Sequence, residues 1–193
     1  MSAAFRADLL DGAAVVVAAP GGAGSAGAAI AAQLRSLGAD VADLPDDILT
    51  GEDAAADWAR RRAPLHALVI DAAPSFGPGG AEALRRMLNV TWRAARAVAV
   101  GALIEAAQPG RFLFLAPRPG AGPHAEAARA ALENLARTLS VEWARHAITA
   151  VALTPGAATT DAELAELASF LVSPAGGYFS GCRFDLGAVP APA

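Results

Sequence analysis

Residues 13–27, Ala-Ala-Val-Val-Val-Ala-Ala-Pro-Gly-Gly-Ala-Gly-Ser-Ala-Gly, decide how the chain is read. Ala13–Ala19 is a short apolar run of the kind that forms a fully buried strand. Pro20–Gly27 is a glycine-rich turn. A helix is expected from about Ser25 to Leu37, with Gly38 as its C-terminal stop. Strand, glycine turn and helix together make half of a βαβ unit. Within the turn, Gly22, Gly24 and Gly27 fit G-x-G-x-x-G, a pattern that lets a backbone approach a pyrophosphate at a helix N-terminus. Asp43 lies about twenty residues further on, where a ribose-binding acid belongs in such a unit. A tight turn with no ligand is the plainer alternative, because a chain with 19 glycines produces such patterns by chance.

Working outward, strands and helices alternate. Val41–Leu44 reads as a second strand. Thr50 and Asp53 fit a helix start ahead of Ala54–Arg62, which Pro64 ends. Leu65–Ala72 is a buried strand, and one long helix is expected from about Ala81 to Ala107, on the order of 40 Å. Arg111–Ala116 is a strand and Pro117–Pro123 a rigid loop. A helix over about His124–His146 precedes a strand at Ile148–Leu153. Thr160 with Glu163 forms a capping box that opens a helix to about Val172. Phe179–Leu186 is the last strand, and Pro190–Ala193 a frayed tail. The alternation predicts an α/β fold: a Rossmann-like, doubly wound parallel sheet with helices on both faces, in one domain over residues 1–193.

Composition narrows the function. The chain has 193 residues, is 54% hydrophobic and only 6% aromatic, so its core should be rich in small residues. A net charge of −4 argues against a nucleic-acid partner. Cys182 is the only cysteine, which fits a reducing cytoplasm. The N-terminal residues do not read as a signal peptide, and no segment reaches the roughly 18 uninterrupted apolar residues of a membrane span. Three histidines and one cysteine make no metal pattern. His66 and His146 read as structural, His124 as an exposed histidine at a helix start, and Arg60-Arg61-Arg62 as a solvated helix end.

The order of pieces resembles the short-chain dehydrogenase/reductase superfamily along almost the whole chain. The resemblance rests on Gly110-Arg111-Phe112-Leu113, on Ala130–Leu135 with Arg137 and Glu142, and on Thr154-Pro155-Gly156. Phe170–Ser173 and Tyr178–Gly181 complete it. In that register the family's T-G-x-x-x-G-x-G falls on Pro20, Gly21, Ser25 and Gly27, keeping two glycines. N-N-A-G falls on Ile70-Asp71-Ala72-Ala73 and keeps only the alanine. The family's structural Asn is matched by Asn89. Its catalytic Ser, Tyr and Lys fall on Pro117, Ala125 and Arg129. All fifteen basic residues are arginines, and the single tyrosine is Tyr178. Ala125 cannot transfer a proton, a group whose loss typically costs about 10²–10⁴-fold. Pro117 has no hydroxyl or N–H, and the planar guanidinium of Arg129 does not replace a compact ammonium.

The resemblance also implies what is short. Between Val41 and Leu65 there is too little chain for the family's helix, strand and helix; either the second crossover helix or a strand is missing. Between Gly156 and Ala162 only five residues stand where the family carries a substrate lid. The helices over 81–107 and 124–146 show two apolar stripes each. On the first these are Leu84, Leu88, Thr91, Ala95, Val98 and Ala102, and Val90, Ala94, Ala97 and Gly101. On the second they are Ala127, Ala131, Leu135 and Thr138, and Ala128, Leu132, Leu139 and Trp143. A second stripe implies a second packing surface, and in the family these helices and the last strand form dimer seams.

The expectation is therefore a catalytically incompetent, reductase-like subunit. It pairs with a homologous full-length reductase subunit, or with itself, through those helices and the C-terminal strand, and requires no cofactor. The alternatives are an NAD(P)-dependent oxidoreductase with a rearranged site, using His124 or a partner's residue, and a nucleotide-responsive binding protein. For these the cofactor-binding candidates are Gly21, Gly22, Gly24, Ser25, Gly27 and Asp43.

Overall fold

A computed structural model describes residues 5–22, 24–77 and 79–188; the expected tail at 190–193 lies outside them. Six strands form one parallel sheet: β1 (Ala14–Ala18), β2 (Asp40–Asp43), β3 (Ala67–Asp71), β4 (Gly110–Leu115), β5 (Ile148–Thr154) and β6 (Arg183–Asp185), in the order β2-β1-β3-β4-β5-β6. The doubly wound, Rossmann-like sheet read from the alternation is present. Strand order reverses between β1 and β3, which opens a crevice above their C-terminal ends.

The strands are apolar on both sides because both sides are covered. Val16, Ala18, Leu68, Ile70, Phe112, Phe114, Ala150 and Ala152 face one core. That core is covered by α2 (Glu52–Arg61), α4 (Gly80–Val98) and α5 (Ala125–Glu142). The alternate residues Val15, Val17, Ala67, Val69, Leu113, Leu115, Val151 and Leu153 face the other core, under α1 (Ser25–Ser36) and α6 (Asp161–Val172). The capping box at α6 forms as read, with both reciprocal bonds between Thr160 and Glu163.

Several expectations change. Between β2 and β3 the chain builds a 3₁₀ turn and α2, with no strand, so one crossover helix takes the place of a helix-strand-helix and β2 is the edge of the sheet. Gly51, not Thr50, caps α2. The helix expected over 81–107 is preceded by a separate turn, α3 (Ala73–Phe76), and is α-helical only to Val98. A π-helical turn, Ala99–Ile104, follows. At that turn Gly101 lies so close to α2 that a Cβ would stand 2.3 Å from the Ala56 carbonyl oxygen. The second stripe of α4 is spent on this contact, with Ala94, Ala97 and Gly101 buried inside the chain. On α5 the stripe Ala128, Leu132 and Leu139 is buried, whereas Ala127 and Thr138 are exposed and Ala131 and Leu135 half-buried. The last strand is shorter than expected. The residues before it make irregular bonds to β5, through Gly181 N–H to the Ala150 carbonyl and Ala150 N–H to Ser180 Oγ.

Among the described residues no helix is long and apolar enough to cross a membrane.

Candidate functional site

The crevice at the strand ends holds two cavities that adjoin at Gly24. The first, about 460 Å³, is lined by Gly22, Gly24 and Gly27 of the turn, by Ala28, Ala31 and Arg35 of α1, and by Asp43 and Asp46 after β2. The acid and the glycine turn thus line one cavity. Asp43 lies 3.7 Å from Arg35 Nη2 in an exposed ion pair. Gly21 (φ +97°) donates its N–H to Asp46 Oδ2 at 2.8 Å.

The glycines have a second reason to be glycines. A Cβ on Gly21 would meet the backbone of Pro74 and Ser75 at 3.0 Å. One on Gly24 would stand 2.6 Å from Asp71 Oδ2 and 2.9 Å from Pro74 Cγ. The turn is pressed against the end of β3 and the start of α3, and that contact alone demands residues without side chains.

Asp71 is the residue of the site that reading the sequence did not single out. It was visible only as a mismatch to N-N-A-G; a lone acid ending a buried apolar strand was the available signal. Its carboxylate is almost wholly buried and accepts N–H groups from Gly27 (3.0 Å) and Ala73 (3.1 Å). Burial pushes its pKa up. The two N–H bonds and Arg118 oppose this, and Asp161 adds to it.

The second cavity, about 390 Å³, lies between the ends of β3, β4 and β5, with Asp71, Pro74, Leu115, Arg118, Asp161 and Leu164 among its walls. Arg118 bonds the carbonyls of Gly156 and Thr159 and pairs with Asp161 at 2.9 Å. It closes the short connection from β5 to α6, where the sequence showed no room for a lid.

The three catalytic slots implied by the resemblance do come together, but not on this cavity's wall. Arg129 Nη1 donates to the carbonyls of Pro117 (3.0 Å) and Pro155 (2.8 Å), and Nε lies 3.4 Å from Glu126. Its side chain is only 12% exposed. It ties the loop after β4 to the end of β5, while Ala125 and Pro117 are buried beside it. Asn89 is elsewhere: it is exposed on α4 and lines a groove between α4 and α5.

The histidines have local duties. His66 Nδ1 accepts the Ala14 N–H at 3.0 Å and His146 Nε2 accepts from Arg145 Nε. His124 is the residue that precedes α5 and lines neither crevice cavity. Arg60 pairs with Asp57 and with Glu105, and Arg62 stacks over Trp58 at 4.5 Å. Among the described residues no group of three or more His, Cys, Asp or Glu could hold a metal ion.

The group that such a crevice would take is a nicotinamide dinucleotide. The first cavity suits its ribose-phosphate end, with a helix N-terminus and Asp43 to hold them. Among the described residues that line the second, none carries a hydroxyl, phenol or ammonium. The glycine turn and Asp43 are the residues that would hold such a group.

No family model matches the chain, and no curated protein matches it by sequence. Solved structures do. A citronellol catabolism dehydrogenase of Pseudomonas aeruginosa PAO1 superposes with a TM-score of 0.75 at 23% identity, covering 97% of this chain and 99% of that one. A short chain dehydrogenase from Mycobacterium smegmatis gives 0.76 at 22%, covering 95% of each. A hydroxysteroid dehydrogenase from Escherichia coli gives 0.72 at 17%, covering 94% and 98%. With the parallel sheet, the reversal between β1 and β3 and the glycine turn above it, these similarities establish that the chain has the fold of the short-chain dehydrogenases.

Proposed function

We propose that the chain is a non-catalytic subunit of the short-chain dehydrogenase type. It associates with an active, homologous reductase subunit or with a second copy of itself, and completes the oligomer. The observation that carries this reading is the Arg129 tie: the place of the reaction centre is filled by a guanidinium bound to two backbone carbonyls, flanked by a buried alanine and a proline. Such a group braces loops and exchanges no proton at neutral pH.

The groove between α4 and α5 supports association. It is about 430 Å³, lined by Leu88, Trp92, Ala131, Leu135 and Thr138 with Asn89 and Asn134. Trp92 is 40% exposed and stacks on the buried Trp143 at 6.1 Å, so the exposed ring is held rigid. A fixed, half-exposed aromatic beside apolar helix residues is the composition of an interface anchor. The test is the sedimenting mass of the purified chain at micromolar concentration, alone and with a candidate reductase. A dimer or mixed complex weakened by Leu135→Arg is expected. A stable monomer in both cases refutes the proposal.

The cavity beside Asp43 favours a second reading, a nucleotide-responsive protein that binds NAD(P) without turnover. Calorimetry with NAD(H) and NADP(H) at millimolar concentration decides it. Turnover that collapses on His124→Ala would instead indicate a rearranged oxidoreductase site.

A further inference from the structure

The end of the sheet opposite the glycine turn carries a basic group with no counter-charge among the described residues. Arg111 is the second residue of β4, and its guanidinium lies at the N-terminal ends of the strands, away from the crevice. Its Nε is buried without a hydrogen-bond partner. Among the described residues it forms no ion pair. Burial pulls its pKa below the usual arginine value, and no neighbouring acid raises it back. A buried Nε–H without an acceptor is costly, and native structures rarely leave one so.

The surroundings form a small cavity of about 200 Å³, lined by Pro109, Gly110, Arg111, Ala147, Thr149 and Gly177. None of these six is acidic. Gly177 lies flat over the guanidinium: a Cβ there would stand 3.2 Å from Nη2 and 3.8 Å from Nε, so a larger residue would crowd the fork. Thr149 Oγ1 has only a long, 3.5 Å bond to the Gly110 carbonyl, which leaves its hydroxyl able to serve a ligand. The volume corresponds to roughly seven waters at about 30 Å³ each. That suits a small oxyanion and is far too little for a nucleotide.

We infer that this cavity is a binding site for a small oxyanion, a carboxylate or a phosphate group, held by the fork of Arg111 with Thr149 beside it. A planar guanidinium binds such groups through two parallel N–H bonds, and partial burial strengthens them. The site is separate from the crevice and independent of the proposed association.

The test titrates inorganic phosphate and, separately, acetate into the full chain at pH 6.5, with sodium chloride at matched ionic strength as control. The thermal midpoint and the Arg111 Nε–Hε NMR signal are followed. A saturable rise above the chloride control is expected, with affinity at least tenfold weaker in Arg111→Gln. A response to phosphate alone assigns a phosphoryl group, and one to acetate alone assigns a carboxylate. No rise above chloride overturns the inference. So does an equal rise in Arg111→Gln, which would place the anion elsewhere, for instance at the glycine turn. Should Arg111→Gln fail to fold, the unsubstituted chain decides: an Nε signal that moves with the oxyanion supports the site, and one that stays still removes it.

Discussion

The two cavities of the crevice share Gly24 and differ in everything that matters for chemistry. The one beside β2 draws largely on backbone, a glycine turn and a helix N-terminus, with Arg35, Asp43 and Asp46 on its rim. The one above β3, β4 and β5 depends on side chains, and the groups there are Asp71, Arg118 and Asp161, braced against the chain itself. Backbone features persist wherever the fold persists, because the sheet and α1 need that turn for packing. Side chains at the strand ends carry no such constraint and can be used to brace loops. Arg129 illustrates this with its bonds to Pro117 and Pro155.

Arg129→Met should have the largest effect on this contrast. It removes a charge-assisted pair of bonds to two carbonyls, each worth about 1.5–3 kcal/mol, so a loss of roughly 3–6 kcal/mol is expected in denaturant unfolding. Arg129→Lys, which restores the residue type implied by the resemblance, should recover only part of this and give no turnover with NAD(P)H. If Arg129→Lys combined with Ala125→Tyr turned over a carbonyl substrate, the proposed non-catalytic role would fall.

Gly24→Ala comes next. Its Cβ would collide with Asp71 and Pro74, and overpacking of this kind costs about 1–3 kcal/mol. Thermal unfolding should show the loss, and any nucleotide affinity seen by calorimetry should fall with it. Gly22 has open space around its Cβ position, so Gly22→Ala should lose less, through its φ of +131° alone. Asp43→Arg should leave stability nearly unchanged and shift any nucleotide preference toward a phosphorylated ribose; an unshifted preference would show that Asp43 does not face the ribose.

Asp71 yields a smaller, signed effect. Burial raises its pKa above the unfolded value, so the carboxyl favours the folded state fully below the ordinary carboxylate range, and that contribution is lost as pH rises through the folded pKa. The melting temperature of the unsubstituted chain relative to Asp71→Asn should therefore climb as pH falls from neutral toward 4. A difference that shrinks over that range would mean the two N–H bonds outweigh burial. Val141, 78% exposed on α5, marks the lower bound: Val141→Ser should change monomer stability by less than about 0.5 kcal/mol. A larger effect on the mass of an oligomer would put the interface at that end of the helix.

The elements were legible where period and punctuation agreed. The strand at 14–18, the capping box at Thr160 and Glu163 and the parallel order follow from apolar runs, caps and alternation. The long helix misled because its second stripe, Val90, Ala94, Ala97 and Gly101, looks the same whether its partner is another subunit or α2. Small residues announce a close neighbour without naming it. The site was legible in part for the same reason. Gly24 and Asp43 fall on one cavity as expected, while Asp71, Arg118 and Asp161 meet from three distant segments and carry no local pattern.

The order of apolar runs and turns along the chain was enough to set the alternating architecture, and residue identity alone puts proline, alanine and arginine where the resemblance implies serine, tyrosine and lysine. Only the tertiary structure decided that one helix replaces the missing crossover, that the glycines answer to Asp71 and Pro74, and that Arg111 stands without a counter-charge. Those facts depend on which segments touch, and contact is settled by packing the whole chain at once.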